Sequence, residues 1–269
     1  MAVLRQQSAM ENRHGPLTVV QLPCLQDNYA FLLKDEGSGT VATVDTPDAD
    51  AIGAALNERG WGLDLILNTH WHPDHTGGNE ALKARFGAHI VGPAGEDDRI
   101  PGRDRAVVDG DQVAFGGLNA QVLETPGHTK GHIVFHFADQ KVGFVGDTLF
   151  SLGCGRLFEG TPAQMWTSLG KLRAMPPETV LYCAHEYTAA NAKFALSLEP
   201  DHAPLKERAA EIERLRAEGQ PTVPMTLSQE LQTNPFLRAD DPALAASVGL
   251  RGAAPTDVFA DVRRRKDEF

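Results

Sequence analysis

Cysteine is scarce in this sequence. The 269 residues contain only Cys24, Cys154 and Cys183, an odd number of widely separated positions. Small disulfide-stabilised folds use an even set of closely spaced cysteines, so this class of protein is disfavoured. The pattern instead favours a protein with reduced thiols, and we expect a cytoplasmic location.

Long apolar runs are also missing. No segment approaches the roughly 18 consecutive apolar residues that a transmembrane helix requires. The first 15 residues, MAVLRQQSAMENRHG, are polar and lack the apolar centre of a secretory signal. We therefore expect no membrane association, and we expect residues 1–15 to form a flexible N-terminal tail.

Positive charge is in deficit. Lysine and arginine together number 25 against 36 aspartates and glutamates, which gives a net charge of −11. Proteins that bind nucleic acids need a basic surface for the phosphates, so no nucleic-acid partner is expected. A local basic pocket for a small anion remains compatible with this balance.

What the chain does contain is a succession of short β-rich segments, followed by a helical end. Residues 17–22, 29–33, 41–44 and 63–67 have the apolar character of strands, and residues 46–59 form an Ala-rich helix after the third of them. Further strands are predicted at 107–115, 120–123, 133–137 and 141–145, and helices near 162–175 and 186–198. The pattern predicts an α/β catalytic domain over residues 16–185 and a smaller α-helical domain over residues 186–269.

A cluster of metal-ligand side chains follows the apolar segment 63–67. The stretch THWHPDH places His70, His72, Asp74 and His75 within six positions. Pro73 keeps the preceding residue extended, so His70 and His72 project from the same side of the chain, while Asp74 and His75 point to an adjacent focus. Imidazole and carboxylate ligands suit Zn, Fe or Mn.

Three more candidate ligands occupy equivalent places, just beyond the ends of apolar segments. They are His128, Asp147 and His185. Each could instead cap a helix or a turn. Together with the first cluster they make five histidines and two aspartates, which is enough for two metal ions if one carboxylate bridges them.

This pattern resembles the metallo-β-lactamase superfamily, and within it the hydroxyacylglutathione hydrolase (glyoxalase II) family. The resemblance extends over residues 17–269, well beyond the metal motif. The matching stretches are LPCLQDNYAFLL at 22–33, CGRLFEGT at 154–161, HEYTAANAKF at 185–194, NPFLR at 234–238 and RRRKDEF at 263–269.

The resemblance implies an αββα metallo-β-lactamase-like sandwich that carries two divalent metal ions, with zinc expected first and Fe or Mn as alternatives. It implies that His70, His72 and His128 hold one ion and that Asp74, His75 and His185 hold the other. Asp147 would bridge them. The two carboxylates, Asp74 and Asp147, are the candidate catalytic residues.

The resemblance also implies a monomeric enzyme that binds a glutathione thioester through residues of the second half of the chain. The candidates are Arg156, Phe158, Tyr187, Arg263 and Lys266. Arg263 and Lys266 share a face of the last predicted helix with Phe259 and Val262, whereas Arg264 and Arg265 point elsewhere. Alternatively, Arg263 and Lys266 only pack their alkyl chains against the protein and extend their charged groups into water.

Two positions depart from the family pattern. Trp71 stands where many members carry a third histidine, at a position that is not a ligand. Phe158 stands where some members have tyrosine, so any hydrogen bond from that hydroxyl is lost.

The activity that the resemblance implies is hydrolysis of S-D-lactoylglutathione and other 2-hydroxyacyl-glutathione thioesters by a metal-activated water. The products are D-lactate and glutathione, as in methylglyoxal detoxification. Two alternatives stay open at this point: an iron-dependent persulfide dioxygenase of the same superfamily, and a metal-binding protein without catalytic activity.

Overall fold

A computed structural model describes residues 9–269, which form two compact units. The first unit comprises the described residues up to 124 together with 129–146, and the second comprises 125–128 and 147–269. Among the described residues, no helix has both the length and the apolar character needed to cross a membrane.

The first unit is built on a seven-stranded sheet whose strands lie in sequence order. Strands β1 to β4 pair antiparallel, and β4 to β7 pair parallel. The strands are β1 (Met10–His14), β2 (Leu17–Cys24), β3 (Asn28–Asp35), β4 (Val41–Val44), β5 (Leu65–Leu67), β6 (His89–Pro93) and β7 (Arg105–Val107). The parallel pairing matters for function because the carboxyl ends of β4 and β5 meet at one edge of the sheet.

Helical segments follow β4, β5 and β6 in the chain. They are α1 (Ala49–Arg59), α2 (Pro73–Thr76) and α3 (Asn79–Phe86), with a 3-10 helix at Ala94–Arg99. Helix α1 begins where the Asp48 side chain accepts hydrogen bonds from the amides of residues 50 and 51, and it ends at Gly60 with φ +65°. Its residues Ile52 and Leu56 are buried against Leu32 and Ile66 of the sheet.

Four further strands complete the first unit, and each pairs antiparallel with the next. They are β8 (Gln112–Phe115), β9 (Leu118–Glu124), β10 (Ile133–Phe137) and β11 (Val142–Gly146). Phe144 of β11 lies 5.6 Å from Phe31 of β3, measured between ring centroids, and 6.1 Å from Phe137. These buried rings pack the two sets of strands face to face, as in a β-sandwich.

The second unit is mainly helical. Its short strands are β12 (Leu149–Phe150), β13 (Gly153–Cys154), β14 (Val180–Cys183) and β15 (Met225–Thr226). Its helices are α4 (Pro162–Arg173), α5 (Thr188–Leu198), α6 (Ala203–Ala217), α7 (Leu227–Thr233), α8 (Pro242–Ser247) and α9 (Pro255–Glu268). The predicted α/β core with a helical C-terminal region is thus confirmed. The predicted domain boundary between residues 185 and 186 stays a prediction.

The predicted N-terminal tail needs a correction. Residues 1–8 lie outside the described residues, but Met10–His14 form strand β1 and pair antiparallel with β2. The segment is polar because only alternate residues of this strand are partly buried, so hydrogen bonding rather than an apolar run creates it. The predicted strand 107–115 is likewise two strands, β7 and β8, separated by a turn.

A buried ion pair holds the helical region together. The Arg238 guanidinium donates to both oxygens of Glu199, with N–O distances of 2.6 and 3.1 Å, and it also pairs with Asp241. Arg238 and Glu199 are both buried. Removal of one partner would therefore leave an uncompensated buried charge.

We predict that Arg238→Ala lowers the free energy of unfolding by about 3 kcal/mol, because the Glu199 carboxylate stays buried without its guanidinium. Chemical denaturation followed by circular dichroism measures this loss. Arg214→Ala is the control, since Arg214 pairs with Glu218 at the surface, and its effect should stay within about 0.5 kcal/mol. Equal losses for the two variants would contradict the prediction.

Candidate metal centre

The first group of candidate ligands lies beyond the end of β5. His70 and His72 are in the loop that leads into α2, and Asp74 and His75 are in α2 itself. His70 and His75 are buried, whereas His72 and Asp74 are partly exposed. His70 Nε2 lies 3.0 Å from His72 Nδ1, and His75 Nε2 lies 3.8 Å from an Asp74 oxygen. His72 is extended, with φ −56° and ψ 146°, as its position before Pro73 requires.

The second group, in the other unit, centres on the carboxylate of Asp147. One of its oxygens lies 3.3 Å from His128 Nε2, and the other lies 3.5 Å from His185 Nε2. All three side chains are buried. A carboxylate that offers a different oxygen to each of two imidazoles has the form that a bridging ligand needs.

The tautomer of His128 is set by the backbone. Its Nδ1 lies 2.8 Å from the carbonyl oxygen of Arg156. Because a carbonyl only accepts, Nδ1 carries the proton and Nε2 carries a lone pair in the neutral ring. That lone pair faces the Asp147 carboxylate, so a cation between the two atoms would turn a repulsive contact into an attractive one.

Asp45 orients the ligand loop, and it was missed in the sequence. One oxygen lies 2.8 Å from His75 Nδ1 and 2.8 Å from the Thr69 hydroxyl, while the other accepts from the Thr69 amide. A carboxylate behind a metal-binding imidazole fixes its ring and raises its basicity. The sequence does hold an indication of this role, because Asp45 directly follows β4, and β4 is the parallel neighbour of β5.

Asn28 supports the same loop from β3. Its side-chain amide donates to the Asp74 carboxylate at 3.1 Å and to the Asp74 carbonyl at 3.3 Å. This contact gives the stretch LQDNY a role that sequence reasoning did not assign. An asparagine that starts a strand is more often read as a turn residue.

Within residues 9–269, three groups of histidine and aspartate side chains could hold a metal ion, and their members are the seven ligands predicted from the sequence. Their chemistry fits a divalent cation. Most are buried imidazoles and carboxylates, which suit Zn, Fe or Mn.

The aromatic candidates of the substrate site lie beside two of these histidines. The Tyr187 ring stacks on the His185 ring, with centroids 4.7 Å apart and planes within 6°. The Phe158 ring meets His128 edge-on at 5.3 Å. Both aromatic side chains are partly exposed to solvent. They are therefore available for contact with a bound molecule.

The basic candidates are connected by one carboxylate. Asp267 Oδ1 lies 2.9 Å from the guanidinium of Arg263 and 3.3 Å from that of Arg156. Arg263 also donates to the carbonyl oxygen of Cys154 at 2.8 Å and is buried, so extension of its charge into water is ruled out. Asp267 was not predicted as part of this group.

Lys266 lies on the same side of α9 in a partly apolar setting. Its Nζ is 5.2 Å from the centre of the Phe194 ring and 3.5 Å from the Ala190 carbonyl oxygen. Burial lowers the pKa of this ammonium group. Arg264 instead pairs with Glu268 and Asp261 on an exposed face, as the helical periodicity predicts.

Comparison with known proteins agrees with this architecture. Residues 29–185 match the model of the metallo-β-lactamase superfamily, and residues 186–269 match that of the hydroxyacylglutathione hydrolase C-terminus. The crystal structure of ETHE1 from Myxococcus xanthus is similar with a TM-score of 0.64 and 23% identity, covering 96% of this chain and 90% of that one. This likeness shows a metallo-β-lactamase-like fold, as predicted.

Curated relatives are more similar in sequence. The hydroxyacylglutathione hydrolase of Maricaulis maris (strain MCS10) is 54% identical over 94% of this chain and 99% of its own length. That of Brucella ovis (strain ATCC 25840 / 63/290 / NCTC 10512) is 54% identical over 97% of this chain and its own full length. The chain therefore belongs to the metallo-β-lactamase superfamily and, within it, to the hydroxyacylglutathione hydrolase (glyoxalase II) family of thioester hydrolases.

We predict that Asp45→Ala weakens metal binding roughly 10- to 100-fold, because His75 loses the carboxylate that fixes its ring. Competition with a chromogenic chelator measures the affinity. Asp48→Ala, which removes the cap of α1 three residues further on, is the matched control and should leave metal affinity unchanged. Equal metal affinity in wild type and Asp45→Ala would show that Asp45 has no part in metal binding.

Proposed function

We propose that this chain hydrolyses S-D-lactoylglutathione and other 2-hydroxyacyl-glutathione thioesters, releasing D-lactate and glutathione in methylglyoxal detoxification. The observation that carries the proposal is the Asp147 carboxylate, which faces His128 and His185 with different oxygens. The names of the curated relatives and the match of the C-terminal region support the substrate class.

The proposal assigns His70, His72 and His128 to one metal ion and Asp74, His75 and His185 to a second, with Asp147 as the bridging ligand. The composition of the three ligand groups supports this assignment. Zinc is the proposed metal, and Fe or Mn would suit the same donors.

The chemistry requires an activated water, a polarised carbonyl and a stable leaving group. Divalent ions held by these residues supply Lewis-acid chemistry, since they lower the pKa of water towards neutrality and polarise carbonyl oxygens. Asp147 and Asp74 contribute the negative charge that keeps such ions in place. The leaving thiolate needs no strong general acid, because a thiol with a pKa of about 8.5 departs readily as an anion.

The protein's own side chains position the donors before substrate arrives. Asp45 holds His75, and the Arg156 carbonyl holds His128. Preorganised groups of this kind cost no rearrangement during the reaction.

We propose that Arg156, Tyr187, Arg263 and Lys266 bind the glutathione portion and that Phe158 contributes an apolar contact near His128. Glutathione carries two carboxylates, which cations in a partly buried setting can bind strongly. The partly exposed ammonium group of Lys266 supports this role. Arg263 is buried and donates to the Cys154 carbonyl, so it also contributes to the local structure.

The iron-dependent persulfide dioxygenase and the non-catalytic metal-binding protein are weaker alternatives. The first would use one ion, whereas two aspartates and five histidines are present here. The second gives no reason for burying so many polar donors, because burial of polar groups destabilises a fold unless they are paired. We also propose that the enzyme is a monomer and that it acts in the cytoplasm. Its three free, buried cysteines support a reducing compartment.

We predict that the purified protein hydrolyses S-D-lactoylglutathione, that exhaustive chelation abolishes the reaction, and that added Zn²⁺ restores it. Loss of absorbance of the thioester bond follows turnover directly. A neutral thioester without the peptide should be a poor substrate under the same conditions. Full activity after verified metal removal, or no activity on glutathione thioesters in the metal-loaded protein, would reject the proposed function.

We predict that Lys266→Ala raises KM for glutathione thioesters about tenfold and changes kcat less, because one charge-assisted contact to the peptide is lost far from the reacting bond. Steady-state kinetics separate the two constants. Arg264→Ala removes the same charge from an exposed face of α9 and is the control. If both variants raise KM equally, bulk charge rather than a specific contact is responsible.

A further inference from the structure

The hairpin formed by β12 and β13 has a two-residue turn with an unfavourable backbone conformation. Phe150 pairs with Gly153, so the turn consists of Ser151 and Leu152 alone. Leu152 has φ +57°, a left-handed conformation that is unfavourable for a residue with a side chain. Such a conformation persists only where surrounding groups impose it.

The Leu152 side chain helps to fix the turn from within. It is fully buried and belongs to an apolar cluster with Ala192 and Ala195 of α5 and with Leu205 and Ile212 of α6. The tip of the hairpin therefore forms part of the core of the helical region.

Glu230 of α7 holds the polar groups of the same turn. Its carboxylate accepts from the Ser151 hydroxyl at 2.9 Å and from the Leu152 amide at 2.8 Å. Glu230 is fully buried, and desolvation raises its pKa. A buried carboxylate is costly, and here its hydrogen bonds and the nearby Arg208 cation offset that cost.

Two asparagines bind the carbonyl groups of the hairpin. Asn234 Nδ2 lies 3.1 Å from the Phe150 oxygen and 3.0 Å from the Gly153 oxygen, and it is also 3.0 Å from Glu230. Asn191 Nδ2 donates to the Ser151 oxygen at 3.0 Å. These contacts give roles to Asn234 in the NPFLR stretch and to Asn191 in the HEYTAANAKF stretch.

The hairpin is continuous with three groups of the proposed site. Asp147 comes two residues before β12. The Cys154 carbonyl, in β13, accepts from Arg263, and the Arg156 carbonyl two residues later lies against His128 Nδ1. A shift of the turn would therefore be transmitted both to metal-ligating side chains and to a cation of the substrate site.

We propose that Glu230 is a positioning residue of the thioesterase. It fixes the Ser151–Leu152 turn, and the hairpin then holds Asp147, the Cys154 carbonyl and the Arg156 carbonyl in the positions that metal and substrate binding require. This inference rests on the proposed function. The hydrogen bonds of Glu230 go to Ser151, Leu152 and Asn234 rather than to the ligand set or the proposed substrate residues, so its effect on the site passes through the hairpin.

Kinetics of the metal-loaded protein test the proposal. Glu230→Ala should lower kcat roughly 10- to 100-fold, since small displacements of reacting groups have effects of this size, and it should also raise KM. Glu230→Gln should retain most activity, because its amide can donate to the Ser151 hydroxyl while its oxygen still accepts from Leu152. Glu199→Ala is the control: it breaks a buried ion pair of the same region without touching the hairpin and should lower Tm but not change kcat or KM.

Alkylation of Cys154 tests the hairpin independently of activity. In the wild type this thiol is buried, and burial raises its pKa to about 11, so it reacts slowly. Native-state labelling with iodoacetamide, followed by peptide mass spectrometry, should be at least about tenfold faster at Cys154 in Glu230→Ala but unchanged in Glu199→Ala. Cys24, buried in β2 of the first unit, reports general unfolding and should stay slow in both.

The outcomes separate the two hypotheses. An inactive wild type rejects the proposed function, whereas the labelling result still decides whether Glu230 fixes the hairpin. Wild-type kinetics in folded Glu230→Ala, or equal acceleration at Cys154 and Cys24, would overturn the positioning role. If Glu230→Ala fails to fold, Ser151→Ala removes one of the same hydrogen bonds and should show the same selective labelling of Cys154.

Discussion

Closely spaced imidazoles and carboxylates, most of them buried, are the constraint on which this structure depends. His70 and His72 approach to 3.0 Å, and both oxygens of Asp147 face histidine nitrogens. Such groups lose their hydration on folding, and the loss is offset only if a proton or a metal ion lies between them. Hydrogen bonds to neighbouring groups, among them the Asp45 carboxylate and the Arg156 carbonyl, hold these nitrogens and oxygens in positions that favour the binding of a metal ion.

The ligands and the residues that support them lie at the ends of strands and in tight turns, and these elements fix their positions. Asp45 follows β4 with φ +57°, and the histidine loop follows β5 beside it. The helical region contributes through Glu230 and Asn234, which support a hairpin rather than bind metal. Elements distant from the ligands in sequence are thus needed to keep the ligands in position.

Much of this could be predicted because the informative residues are close together in sequence. The THWHPDH stretch identifies four ligands, and the strand ends identify His128, Asp147 and His185. Asp45, Asn28 and Glu230 were missed because each acts through two or three hydrogen bonds that only the folded chain creates. The strand at Met10–His14 was missed for a related reason: backbone pairing at a sheet edge leaves little trace in hydropathy.

The central claim is that the histidines and aspartates form a centre for two metal ions. Elemental analysis of protein purified under metal-replete conditions, after removal of loosely bound ions, tests it most directly. The account predicts about two divalent ions per chain, because the ligand set exceeds what one tetrahedral ion uses. A single tightly bound ion per chain, unchanged by added Zn²⁺, Fe²⁺ or Mn²⁺, would contradict it.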